Sequence, residues 1–168
     1  AGKQIVSIRF GGFTGPTPND KYLLFKNTVL ADPEIEHMTL ANHLPRLDFF
    51  GPINMEMRFP DINEDKHEWF QLNGDYDFPR TFGLKIIAGR DFDPANVADS
   101  TSILLNMAAV SALHLTPAEI VGKTVVRPDY VMGYSPPDST RAPVSGTVIG
   151  VVEDFPYRSL RKKIDPLA

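Results

Sequence analysis

Hydrophobic and polar residues alternate over short stretches of this chain, and glycine, proline or asparagine interrupts most of them. Alternation with a period of two predicts half-buried β-strands, and a short apolar run predicts a fully buried one. The apolar run at residues 148–152 is of the second kind. The predicted strands cover residues 4–10, 35–41, 53–59, 67–73, 84–87, 103–105, 123–126 and 147–152, and the last two are expected to pair.

One helix is predicted in the first half of the chain, where Asn19 or Asp20 can cap its amino end. Its predicted apolar stripe is Tyr22, Leu23, Phe25, Val29 and Leu30. The Asp32–Pro33 dipeptide ends the helix, because the residue before a proline disfavours helical backbone. Residues 4–41 therefore form a predicted β-α-β unit, whose two strands would lie parallel through a right-handed crossover.

Three short helices are predicted in the second half, each from a local start or stop signal. Asp75 or Asp77 can cap the first helix, which would end at Gly83. Asn106 can cap the second helix, in the stretch MAAVSALH. The third helix, in TPAEIVG, begins after Thr116, and a glutamate three residues later completes a capping box.

These elements predict an α+β fold class with short strands. We expect a first lobe at residues 1–73, which contains the β-α-β unit, and a second, mixed lobe of short strands and short helices at residues 74–152. Residues 153–168 are expected to begin a return segment that is truncated. The sequence would then be an excised piece of a longer protein.

Composition acts mainly by excluding classes of function. The chain has 168 residues and a formal net charge of −4, and its one basic cluster is the short group at residues 158–163. Nucleic-acid binding needs more clustered Lys and Arg, so we predict no nucleic-acid partner. The absence of cysteine excludes disulfides, thiolate zinc sites and a cysteine nucleophile. No stretch reaches the apolar length that spans a bilayer.

Phosphate-binding and metal-binding signatures are poorly matched. The loop GGFTGPTPND lies between a predicted strand and a helix, as phosphate-binding loops do, but it has no Gly-Lys-Ser/Thr signature. Pro16 and Pro18 also remove two backbone donors. The histidines, at positions 37, 43, 67 and 114, have no spacing typical of a metal site. We predict no cofactor-binding or metal-ligating residues.

Carboxylates leave one catalytic alternative open. A hydrolase site would use the group Asp75, Asp77, Asp91 and Asp93, and it would require a perturbed carboxylate in a cleft. The structural interpretation is that Arg90 forms an ion pair with Asp91 or Asp93 at a turn. We prefer this interpretation and predict no catalytic residues, and hence no enzyme.

Tyrosine and methionine side chains in a long loop indicate a surface for partner contacts instead of a catalytic site. A proline-rich insertion spans residues 127–143, and aromatic and methionine side chains at a loop tip suit partner contacts. The predicted contact residues are Tyr130, Val131, Met132 and Tyr134. The alternative that this insertion folds back onto its own core stays open. A second candidate is LDFFGP at residues 47–52, for which burial of the two phenylalanines is expected.

Three stretches together resemble one known family. GDYDFPRTFGLKIIAGRDFD, then a strand that ends in Asn106 and a helix of small residues, is similar to the MacB-like periplasmic core domain of FtsX-like permeases of ABC transporters. AEIVGKTV is similar to the Ile-Gly-Lys turn of that family, and GTVIGVVEDF to its Ile-Gly-Val-Val-Lys-Asp-Phe stretch. The resemblance covers residues 74–168 well and the first lobe mainly by element order. Met107, Pro156 and the long insertion depart from the family pattern.

The resemblance implies a porter-like first lobe, a sabre-like second lobe and a specific location. The chain would be the periplasmic domain of an ABC transporter permease in the inner membrane of a Gram-negative-type bacterium. A cytoplasmic ABC ATPase subunit would act on it through transmembrane helices that this sequence lacks. ATP would bind that separate subunit, so no cofactor is expected in this domain.

The implied function is mechanical and not catalytic. The domain would couple the movement of the ATPase to substrate export or to an envelope protein partner, as a homodimer or pseudo-dimer. The alternative is a free-standing periplasmic ligand-binding or adaptor module with no membrane-anchored parent.

Overall fold

The computed structural model describes residues 4–8, 20–42, 53–62, 65–128, 142–157 and 164–168. Within these ranges, the elements are α1 (Asp20–Leu30), β1 (Ile53–Arg58), β2 (Lys66–Gln71), α2 (Phe78–Phe82), β3 (Ile86–Gly89), a 3₁₀ helix (Val97–Ser100), β4 (Ile103–Asn106), α3 (Met107–Ala112), α4 (Pro117–Ile120), β5 (Thr124–Arg127) and β6 (Val144–Val152). None of these helices has both the length and the apolar character that a bilayer span needs.

The strands form one six-stranded sheet around β6. Its neighbours run in the order β2–β1–β5–β6–β3, and β4 also pairs with β6. The β4–β6 pairing is parallel, and the other pairings are antiparallel. β6 therefore hydrogen-bonds with three strands, and its apolar second half, from Val148 to Val152, is buried throughout.

The last described segment, residues 164–168, connects the two ends of this sheet. Leu167 lies parallel to Phe70 of β2, and the Leu72 N–H donates to the carbonyl oxygen of Ala168 at 2.9 Å. On the other side, the Asn106 N–H at the end of β4 donates to the Leu167 carbonyl oxygen at 3.1 Å. The segment thus contacts both β2 and the end of β4, and we call residues 164–168 the closing segment.

The apolar core draws on most of the strands and on the two helices that follow β4. Its buried members lie on β1, β2, β4, β5, β6, α3 and α4, or directly after β1 and α3. They are Met55, Met57, Phe59, Trp69, Ile103, Leu105, Ala109, Val110, Leu113, Ile120, Val125, Val148 and Val151. This core takes residues from both sides of position 73, and the division into lobes at that position stays a prediction.

The structure confirms the α+β fold class and the elements predicted from residue 53 onward. The predicted strands of that part correspond to β1 to β6 with ends shifted by a few residues, and β5 pairs with β6 as expected. α3 follows Asn106, whose side-chain oxygen accepts from the Ala109 N–H. α2 ends at Gly83, which has a left-handed φ of 65°. In α4, the Glu119 carboxylate accepts from the Thr116 N–H at 2.8 Å.

The two strands predicted for the first lobe are not observed as strands. Residues 4–8 and 35–40 have no strand assignment, and Ala41 forms only an isolated bridge with Gly74. The alternating pattern shows which side chains could share a face, but a strand also requires a hydrogen-bonded neighbour. Ile5, Val6 and Ile8 are exposed accordingly. The remainder of the first predicted strand, residues 9 and 10, lies outside the described residues.

The predicted apolar stripe of α1 is also corrected. Tyr22 is buried, and Phe25, Lys26 and Val29 are half-buried, which is the i, i+3, i+4, i+7 pattern of one helix face. Leu23 and Leu30 of the predicted stripe are 47% and 37% exposed. The inward face of α1 thus includes a lysine, which apolar periodicity alone could not select.

Gly89 provides a test of how closely β3 approaches β6. Gly89 has a φ of 72°, and an added Cβ would lie 2.2 Å from the Ile149 carbonyl oxygen. Gly83 has a similar φ of 65° but no atom within 4 Å of an added Cβ. An alanine at Gly83 would therefore introduce backbone strain alone, whereas an alanine at Gly89 would add steric overlap with β6.

We predict that Gly83→Ala lowers the free energy of unfolding by about 1–2 kcal/mol, the cost of a left-handed residue with a Cβ. Gly89→Ala should cost at least about 2 kcal/mol more, because the strands must also move apart. Urea unfolding of the two variants and the wild type measures the difference. Equal losses in the two variants would contradict the close approach of β3 and β6.

Candidate functional site

The described residues contain three clusters of buried polar side chains. The first, which we call the Lys26–Asp75 cluster, consists of Tyr22, Lys26, Thr39, Asp75 and Asp77. Lys26 Nζ donates to Asp75 Oδ2 at 2.7 Å and to Asp77 Oδ2 at 2.5 Å. The Tyr22 hydroxyl donates to Asp75 Oδ2, and the Thr39 hydroxyl donates to Asp75 Oδ1. The cluster thus connects α1 to the segment that leads into α2.

Burial and charge fix the protonation states within this cluster. The side chains of Lys26 and Asp75 are only 12% and 7% exposed. Burial, together with the hydrogen bond to Asp75, raises the pKa of Tyr22, so its hydroxyl stays protonated and remains a donor. Burial disfavours the Lys26 ammonium, but hydrogen bonds to Asp75 and Asp77 outweigh that effect and raise the pKa of Lys26. The Lys26 ammonium therefore stays charged throughout the physiological pH range.

The second cluster is organised by Asp99, whose side chain is 1% exposed. Arg90 binds it in a bidentate manner, with Nη1–Oδ2 and Nη2–Oδ1 distances of 2.5 and 2.7 Å. The Asp93 N–H and the Asn96 side-chain amide donate to the same carboxylate. The hydrogen bonds from Arg90 lower the pKa of Asp99. Arg90 was expected to pair with Asp91 or Asp93, and its salt bridge to the more distant Asp99 corrects that expectation.

The third cluster is organised by Asn106, which is 1% exposed. Its Oδ1 accepts from the Ala109 N–H at 2.9 Å, which caps α3, and from the Leu167 N–H at 3.0 Å. Its Nδ2 donates to the Asp165 carbonyl oxygen at 2.9 Å. One amide side chain therefore both caps α3 and binds the segment at residues 164–168.

The four carboxylates of the hydrolase alternative are used as structural acceptors. Asp75 and Asp77 bind Lys26, whereas Asp91 Oδ1 accepts from the Phe92 N–H and Asp93 Oδ1 from the Ala95 N–H. Such bonds shape turns and hold a helix. This use of all four carboxylates favours the structural interpretation of these aspartates over a catalytic one.

The histidines occupy unrelated environments where the structure describes them. His37 and His114 are exposed, and the His67 ring contacts Phe59 and Trp69 at centroid distances of 6.1 and 5.2 Å. His43 lies outside the described residues. In the part of the chain that the structure describes, no group of three or more metal-binding side chains converges.

The predicted partner-contact residues Tyr130, Val131, Met132 and Tyr134 lie outside the described residues, as do residues 47–52 and most of the glycine-rich loop. Their roles stay predictions. Sequence analysis missed Lys26, Thr39 and Asp99, whose partners are distant in the chain or on another element. A lysine one helical turn after a buried tyrosine was the only local signal for Lys26.

No protein-family model matches the sequence, and no curated protein matches it. Solved structures do match. The periplasmic region of MacB from Actinobacillus actinomycetemcomitans aligns over 87% of this chain with a TM-score of 0.53 and 17% sequence identity. A domain of a protein described as a permease, from Porphyromonas gingivalis, aligns over 78% of this chain with a TM-score of 0.46 and 20% identity.

The comparisons establish likeness of fold. This chain has the α+β fold of the MacB periplasmic region, which agrees with the family resemblance of its sequence. It spans about half the length of the structures it matches, 53% of the first and 49% of the second. Three of the residues that carried the sequence resemblance, Asp75, Arg90 and Asn106, each belong to one of the three polar clusters.

Asn106 should be essential for holding the closing segment. We predict that Asn106→Ala lowers the free energy of unfolding by about 2–4 kcal/mol, because two buried backbone donors and one acceptor lose their partner. It should also speed release of residues 164–168 by a carboxypeptidase.

Asn96→Ala is the matched control. Asn96 caps the 3₁₀ helix at an exposed position and also donates to the Asp99 carboxylate. Its replacement should cost about 1–2 kcal/mol and leave the carboxypeptidase rate unchanged. If both variants released the segment at the wild-type rate, Asn106 would not be its fastening point.

Asp99 should make the protein sensitive to acid. Because its pKa is lower in the folded state than the unfolded value of about 3.9, its charged form stabilises the fold above about pH 5. That contribution disappears as the pH falls through the unfolded and then the folded pKa. Asp99→Asn should therefore reduce stability at pH 7 and flatten its decline below about pH 5.

Urea midpoints from pH 7 down to about pH 3 measure this effect. An Asp99→Asn variant with an unchanged acid slope would contradict the role of Asp99.

Proposed function

We propose that this chain is a periplasmic domain of an ABC transporter permease subunit and that it is not itself an enzyme. The observation that carries the proposal is the match to the MacB periplasmic region over 87% of the chain. The three family-like stretches of sequence support it independently, because their resemblance is a property of the residues and not of the fold.

The proposed role is mechanical coupling. A cytoplasmic ABC ATPase would bind and hydrolyse ATP, and transmembrane helices of the parent permease would transmit its movement to this domain. The domain would then act on an exported substrate or on an envelope partner. Coupling of this kind uses rigid-body movement of folded lobes, which requires stiff elements. The six-stranded sheet and the clusters around Asp99 and Asn106 are suited to that requirement.

The proposed setting is the inner membrane of a Gram-negative-type bacterium, with this domain in the periplasm. We propose a homodimer or pseudo-dimer, in which the insertion carrying Tyr130, Val131, Met132 and Tyr134 contacts a partner. ATP would bind to the separate ATPase subunit, so this domain would carry no cofactor of its own.

The parent protein provides the test. We predict that the complete reading frame, expressed with a carboxy-terminal tag, is recovered in the inner-membrane fraction. Added protease should cut within this domain only after the outer membrane has been opened, and a cytoplasmic marker in the same cells should stay intact.

Co-purification of an ABC ATPase subunit with the tagged protein is the next expected result. Recovery of the complete protein as a soluble periplasmic species would contradict the proposal and favour the ligand-binding or adaptor module. Protease resistance after opening of the outer membrane, together with recovery in the inner membrane, would contradict the periplasmic placement.

A further inference from the structure

Helix α1 is attached to the rest of the protein differently from the other helices. α3 and α4 contribute side chains to the apolar core, namely Ala109, Val110 and Ile120. Among the described side chains, that core includes none from α1, whose single buried residue is Tyr22. Leu23 and Leu24 of α1 face solvent. Among the described residues, α1 is attached through the Lys26–Asp75 cluster and through partial burial of the helix face around it.

The cluster is built around one carboxylate. Asp75 accepts from Tyr22 and Lys26 on α1 and from Thr39 in the segment after it. Its own backbone N–H donates to the Leu40 carbonyl oxygen at 2.9 Å. Two bonds between Asn42 and Asn73 extend this contact, each at 2.9 Å. Residues 40–42 and 73–75 thus form a short backbone strip beside the cluster.

An attachment through a buried ion pair is lost in a single step when one partner moves away. Apolar packing weakens gradually as surfaces separate, whereas a buried ion pair depends on close, directed contacts. Loss of one partner leaves the other charge buried without compensation, which drives the elements apart until water reaches it. An element held in this way has two discrete arrangements, as moving parts of proteins do.

We propose that the Lys26–Asp75 cluster is a releasable joint: with the cluster formed, α1 is held against the segment before α2, and with it broken, α1 leaves while the six-stranded sheet stays folded. The backbone strip at residues 40–42 and 73–75 is the pivot. This inference rests on the proposed function in one respect, because it names the position at which a coupled movement would occur.

Hydrogen exchange read by mass spectrometry tests the joint in this chain directly. Asp75→Asn keeps the shape of the side chain and removes its charge, and Lys26→Met removes the opposite partner. Lys21→Met is the matched control, because Lys21 is an exposed lysine of the same helix. α1 has 11 residues, and a helix of that length is marginal in water once it is detached.

We expect both cluster variants to increase exchange of the α1 amides by about tenfold or more, while the amides of β4 and β6 keep their wild-type rates. Lys21→Met should leave both regions unchanged. Unchanged exchange in α1 in either cluster variant would overturn the proposal. Equal acceleration in α1 and in the sheet would also overturn it, because the cluster would then belong to one cooperative unit.

The result is independent of the membrane experiment. A chain with a working joint whose parent is not a permease would retain the exchange pattern and fail the fractionation test. A permease without this joint would give the opposite pair of results.

Discussion

The pairing of β6 with three other strands is the interaction on which this structure depends. Its second half is apolar and buried, so burial of these valines and the ladder hydrogen bonds reinforce one another. β5, β3 and β4 approach β6 from different parts of the chain, and α3 and α4 cover the core that these strands share. A change that displaced β6 would therefore separate elements that have few other contacts. Gly89 at the end of β3 permits this close packing, because an added Cβ there would lie 2.2 Å from the Ile149 carbonyl oxygen of β6.

Local signals were sufficient to predict the second half of the chain. Asn106, Gly83 and the capping box at Thr116 act on their own neighbours in sequence, so their effects follow from residue type and spacing. The strands near residues 103 and 148 were also recognisable, because complete burial requires a continuous apolar run. Helix caps, helix ends and fully buried strands can thus be predicted from one sequence, because the residues that determine them are neighbours in the chain.

The first half could not be predicted equally well, since its structure depends on distant partners. The alternation at residues 4–8 gives a strand only if another strand lies beside it. The inward face of α1 was misassigned because Lys26 is placed there by Asp75, 49 residues away in the chain. In the candidate site, motif residues such as Arg90 were identified, but their partners were not. Sequence resemblance indicated that these residues matter, and the structure gives the reason: each completes a buried polar cluster.

The closing segment at residues 164–168 has a consequence for the order of folding. The bond from the Leu167 N–H to Asn106 Oδ1 joins positions 61 residues apart, and the bridge to Phe70 joins positions still further apart. Contacts of such long range form late, because the entropy of loop closure must be overcome before they contribute. Until residues 164–168 bind, the edge of β2 that they cover stays unpaired. Unpaired edges of this kind are the parts of a partly folded sheet most prone to aggregate.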